Sequence, residues 1–172
     1  MTGIAAMCAA MLALGGCGMF GTSAPKLHMG DVRLVAAPDA NRNSPVVMTV
    51  VMVADATLEQ RLMAPDHKWF NSAADLAATY PQALQAWYCE FTPGQELRLP
   101  SALFDGRRAR AVFIIANLSG GERRARIEHW SEGGVISFTR DNWILTSDAK
   151  PAAAAARPRE IGCSPGSGIR PA

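Results

Sequence analysis

The chain has 172 residues and a formal net charge of +2; 49% of its residues are hydrophobic and 19% charged. That length suits one domain. The apolar content excludes wholesale disorder, and the near-neutral balance argues against a protein built to grip nucleic acid. No apolar run reaches the roughly 18 residues of a membrane-spanning helix. The four cysteines (Cys8, Cys17, Cys89, Cys163) are too few for a disulfide scaffold and lack zinc-type spacing.

Ile4 to Leu14 is an apolar run of signal-peptide length. Leu14-Gly15-Gly16-Cys17 follows and resembles a bacterial lipobox, although no Lys or Arg precedes the run. The expectation is that residues 1–16 are removed and that the Cys17 thiol carries diacylglycerol. Acyl chains contribute about 0.8 kcal/mol per buried methylene, so such an anchor is stable. A buried N-terminal helix is the alternative, and Gly15, Gly16 and Gly18 disfavour it. Gly18 and Met19 stand where Asp signals inner-membrane retention, so lipoprotein sorting would send the chain to the periplasmic face of the outer membrane.

Residues 17–30 are small and polar and read as a flexible tether. Asp31 to Ala37 alternates as a first strand, and Pro38 to Pro45 is dense in turn formers. Val46 to Ala54 is almost wholly apolar, as in a strand buried on both faces. Two short helices are predicted next. Asp55 caps a turn carrying Leu58 and Leu62; Phe70, Ala73, Leu76, Ala77 and Tyr80 share the face of a second, with Ser72 and Asp75 as a partial capping box. This insert is expected to cover one end or edge of a sheet.

Strands are then predicted over Ala83 to Phe91, Glu96 to Leu99, Ala109 to Leu118, Arg124 to Trp130, Val135 to Arg140 and Trp143 to Ser147. About eight short strands with frequent turns and one helical insertion define a mainly β fold, an antiparallel β-sandwich over residues 31–148. Residues 149–172 are rich in Ala, Pro and Gly and read as a mobile tail.

Chemistry is sparse. His28, His67 and His129 sit in separate segments without metal-ligand partners, and no Walker loop, dinucleotide fingerprint or nucleophile elbow occurs. Glu90 and Glu128 alternate onto outward strand faces. The pattern predicts no enzyme, no metal and no cofactor beyond the covalent lipid. Arg107, Arg108 and Arg110 are expected at the opposite hairpin end from Arg123, Arg124 and Arg126, as solvated edge charge. Met48, Met52 and Met63 fit core filling, and the four tryptophans packing anchors. Cys89 and Cys163 leave two readings open: a disulfide worth about 4 kcal/mol in the chain-entropy model, or a buried free Cys89 with a loose Cys163. The loop bearing Asp39, Asn41, Arg42, Asn43 and Ser44 is polar and mounted between strands, which suits either protein recognition or a plain connection.

The layout resembles the outer-membrane lipoprotein of the type VI secretion system, the TssJ family. The resemblance is carried by Cys17, the first strand, Asn43-Ser44-Pro45-Val46, Phe70 and Leu76 in the insert, Pro93-Gly94, and the apolar strand at Ala111 to Ala116. Val51, Met52 and Val53 stand where the family usually has a tyrosine–leucine pair, and Ala64 to Trp69 is longer than usual, which marks a divergent branch. The resemblance implies a transthyretin-like sandwich that binds the periplasmic C-terminal region of the inner-membrane protein TssM. It also implies contact through the loop after the first strand, with Asn41 and Arg42 as the strongest candidates. The rival readings are a pilotin-like or pilus-associated assembly lipoprotein, and a periplasmic ligand-binding or hydrolytic lipoprotein.

Overall fold

The computed structural model describes residues 23–147, 159–160 and 163–165. The expected signal peptide and Cys17 lie outside the described residues. The elements are β1 (Val32–Ala36), a single turn α1 (Ala40–Asn43), β2 (Val46–Val53), α2 (Ala56–Met63), α3 (Trp69–Thr79), β3 (Leu84–Phe91) and β4 (Glu96–Leu99). They continue as β5 (Ala111–Leu118), β6 (Gly121–Arg126), β7 (Gly134–Phe138), β8 (Trp143–Ser147), β9 (Arg159–Glu160) and β10 (Ser164–Pro165).

Two five-stranded sheets result, ordered β8-β7-β1-β4-β9 and β10-β3-β2-β5-β6. The expected sandwich is therefore observed, with one refinement. Most neighbours are antiparallel, but β1 runs parallel to β7 and β4 parallel to β9. Between the sheets lies the main core, where Leu34, Met48, Val50, Ile114, Ile136 and Phe138 meet.

The continuous apolar character of β2 and β5 has a simple cause: both faces of each strand are buried. Val50 and Ile114 point between the sheets, whereas Val51, Val53, Phe113 and Ile115 point into a second core beneath the helices. Leu58, Leu62, Trp69 and Leu76 fill that second core. Burying a side chain of this size stabilises the fold by about 1.5–3 kcal/mol. The helices thus cover the outer face of the second sheet, not an end or edge as periodicity suggested. The Asp55 side chain accepts from Leu58 N at 2.8 Å and caps α2 as expected. The second helix begins earlier than predicted, at Trp69, so Ser72 is inside it and donates to Lys68 O at 2.9 Å instead of capping. Met63 is also not core: it is 52% exposed at the end of α2.

Both terminal regions depart from expectation. Within the segment read as a tether, Leu27 and Met29 are buried in the main core. Leu27 N donates to Arg107 O and Ala109 N to Pro25 O, so Ser23 to Gly30 runs along the sandwich as part of it. Within the segment read as a mobile tail, Arg159–Glu160 extends the first sheet beside β4 and Ser164–Pro165 extends the second beside β3. The reason is a covalent one: Cys89 and Cys163 form a disulfide that closes a sequence separation of 74 residues.

Candidate interaction surface

Three connections converge at one end of the sandwich: α1 between β1 and β2, the Ser119-Gly120 turn between β5 and β6, and the Thr139–Asn142 turn between β7 and β8. Their junction is made by the α1 backbone. Asn41 N donates to Thr139 O and Arg42 N to Arg140 O, each at 3.0 Å. Asn43 N reaches back to Asp39 O at 3.4 Å.

This turn is left-handed. Asn41, Arg42 and Asn43 have φ of 49°, 55° and 62°. L-residues avoid that region because Cβ crowds the following carbonyl; Asn tolerates it best, and three in succession are rare. A strained conformation persists only where its surroundings over-determine it. Here Asn41 supplies the determinant. Its side chain is buried; Nδ2 donates to Pro45 O at 2.8 Å, and Oδ1 accepts from Ser119 N at 2.6 Å.

The five loop residues therefore divide by role. Asp39, Arg42, Asn43 and Ser44 are exposed, as a recognition loop requires. Asn41 corrects the expectation placed on it: both ends of its amide are used inside the protein, so it shapes the turn rather than facing a partner. Sequence reasoning also missed Asp141, whose carboxylate accepts from Arg42 Nε at 2.5 Å. Both side chains of that pair are more than half exposed, at 59% and 54%, so the contact adds at most about 1 kcal/mol. Nothing in local sequence links positions 42 and 141; the fold alone joins them.

The other charged residues are mostly committed. Arg110 and Arg126 both reach Glu59, at 3.1 and 3.0 Å, so two arginines expected at opposite hairpin ends share one carboxylate. Arg126 also pairs with Glu128, whose hydrogen bond leads in raising the guanidinium pKa above its ordinary value. Arg107 lies over the Trp87 ring at 4.8 Å, and Arg108 donates to Ala24 O at 3.0 Å. An open groove of about 340 Å³ runs past Met63, Lys68, Phe113 and Arg124. Arg124 pairs with Glu122 and donates to His67 O, and its buried Nε has no partner among the described residues. Burial, then the Arg124 charge, holds the His67 pKa below its ordinary value. Glu90 and His129 are exposed in other segments, and Glu128 is tied to Arg126, so these groups do not converge.

A two-sheet sandwich with a helical layer on one outer face is the architecture these elements define. Among solved structures it is similar to the T6SS lipoprotein TssJ1 from Pseudomonas aeruginosa, with a TM-score of 0.54 at 14% identity over 73% of this chain and 98% of that one. Serratia marcescens Lip, a membrane-bound component of the type VI secretion system, aligns with a TM-score of 0.46 at 17% identity over 70% of this chain and 97% of that one. The chain has the fold of TssJ1. No family model and no curated protein sequence matches the chain.

Proposed function

We propose that the protein is a divergent outer-membrane lipoprotein of a type VI secretion membrane complex. Cys17 carries the lipid, and the sandwich faces the periplasm. The α1 end binds the periplasmic C-terminal region of a TssM-type inner-membrane protein, tying the complex to the outer membrane. Its work is architectural, with no catalytic step.

The observation that carries this reading is the fold shared with TssJ1, which spans almost all of that chain. Two further features support it. The Cys89–Cys163 disulfide suits an oxidising compartment such as the periplasm. The α1 turn is held rigidly by backbone and Asn41 hydrogen bonds while Arg42, Asn43 and Ser44 stay open to solvent. Pre-organisation of that kind lowers the entropy lost on binding.

The test is co-purification of the detergent-solubilised chain with the periplasmic C-terminal region of the TssM-type protein. Arg42→Glu is expected to weaken capture at least tenfold while thermal unfolding stays within a few degrees of wild type. Capture at wild-type yield would reject the α1 end as the docking surface. Palmitate labelling tests the anchor: wild type labels and Cys17→Ser does not, and a labelled Cys17→Ser variant would reject Cys17.

A further inference from the structure

Most arginines of the sandwich are neutralised where they stand. Arg33 and Arg98 on the first sheet pair with Glu96 and Asp31. Arg110, Arg124 and Arg126 on the second pair with Glu59, Glu122 and Glu128. Arg61, Arg123 and Arg140 are exposed and make neither an ion pair nor a side-chain hydrogen bond among the described residues. Arg61 is on α2, beyond the far end of β2. Arg123 and Arg140 both belong to the α1 end.

Their placement there is specific. Arg123 sits opposite Ala116 and so shares the face of β6 that looks between the sheets. A Cβ on Gly120 would stand 3.8 Å from Arg123 Nη2 and 3.4 Å from Asp141 O, so the Arg123 guanidinium lies against the turn that meets Asp141. Arg140 precedes Asp141 in the chain, and its carbonyl accepts from Arg42 N. Arg42 Nε donates to the Asp141 carboxylate itself. Three connections distant in sequence thus bring three arginines around one carboxylate. Few acids oppose them. Glu122 is turned to the helical layer, where it accepts from Arg124 and from Phe70 N, and its side chain is only 8% exposed. Glu90 is on β3, three strands and roughly 14 Å from β6. Asp39 is exposed at the start of α1 and caps nothing with its side chain. The end therefore carries Arg42, Arg123 and Arg140 against Asp39 and Asp141.

We propose that the α1 end is an acceptor for an acidic segment of a protein partner, and that Asp141 is the resident carboxylate this segment displaces from Arg42. The inference rests on the docking role given to this end and adds the chemistry of what docks there. Guanidinium groups meet carboxylates through two parallel N–H donors, so each arginine can take one Asp or Glu of the segment. The exposed Arg42–Asp141 contact is weak enough to exchange. Exchange keeps Arg42 paired before and after binding, so no lone guanidinium is left in the interface. Arg123 and Arg140 supply the specificity: an acidic segment is attracted by both, and a basic one is repelled by all three arginines.

The experiment measures fluorescence anisotropy of labelled octaglutamate, with octalysine as control, against the full chain in neutral detergent. Wild type is expected to bind octaglutamate alone, with affinity falling about tenfold from low to physiological salt. Arg123→Gln with Arg140→Gln is expected to weaken binding about tenfold and Arg61→Gln to leave it unchanged, because the site and not the overall charge does the holding. Asp141→Asn, which frees Arg42 without changing shape, is expected to tighten binding about threefold. Asp141→Asn that bound no tighter, Arg61→Gln as damaging as the double variant, or equal binding of the two peptides would each overturn the proposal. Capture of the TssM-type region by the same variants separates this inference from the function it rests on. Peptide binding as expected without capture by wild type rejects that partner and supports the acceptor. Capture weakened by Arg42→Glu but indifferent to positions 123, 140 and 141 keeps the docking end and overturns the acceptor.

Discussion

Two connections flank β2, and they are built on opposite principles. The one that enters it, α1, spends its backbone on neighbouring turns and leaves Arg42, Asn43 and Ser44 to solvent. The one that leaves it, α2 with α3, spends its apolar side chains on the core, and on its outer surface Glu59 pairs with Arg110 and Arg126. The first is rigid because hydrogen bonds hold an unfavourable backbone; the second because apolar surface is removed from water. A region of the first kind keeps its side chains available for a partner, and a region of the second kind does not.

This contrast can be broken from either side. The largest effect is expected from the helical layer. Trp69 is fully buried, and its Nε1 donates to buried Thr49 Oγ1 at 3.2 Å. Trp69→Ala is expected to cost about 3–5 kcal/mol in chemical unfolding, while the folded fraction keeps its α1 geometry. Next is Asn41→Ala, which leaves Pro45 O and Ser119 N without partners. A loss of about 2 kcal/mol is expected, together with faster amide exchange at Ser119 and weaker capture by the TssM-type region. If Asn41→Ala bound its partner as wild type does, the turn's shape would be irrelevant to docking. Removing the α2 cap with Asp55→Ala is worth about 1 kcal/mol and should leave capture unchanged.

The smallest effect sharpens the comparison through pH. His67 sits between the helices and is held below 6.5 by burial and by Arg124. Between its folded value and 6.5 the unfolded chain binds more protons. Stability from this group is therefore present above pH 6.5 and declines as pH falls through that window. His67→Gln should flatten the slope in denaturation series, whereas a wild-type slope in that variant would assign the effect elsewhere.

Much of the sandwich was legible in the sequence because burial leaves a pattern. The uninterrupted apolar runs of β2 and β5 mark strands covered on both faces, and the spacing of Phe70, Ala73 and Leu76 marks a helix with one buried side. What escaped has no local pattern. Leu27 and Met29 are two apolar residues among polar neighbours, too few to show a period, yet both anchor the N-terminal segment. The C-terminal segment is held by backbone pairing, to which side-chain identity contributes little, and by a bond across 74 positions. The candidate site divides the same way. Asn and Pro reveal a turn between Pro38 and Pro45, but the inward rotation of Asn41 depends on Ser119, 78 positions away, and the Arg42 pair on Asp141, 99 away.

The central claim is that the α1 end, and not the helical layer, meets the inner-membrane partner. Photo-crosslinking from single sites in intact envelopes tests it most directly, with a reactive residue introduced at Asn43 or at Met63, both exposed. The account predicts a crosslink from position 43 to the periplasmic C-terminal region of the TssM-type protein and none from position 63. A crosslink from 63 without one from 43 would contradict it.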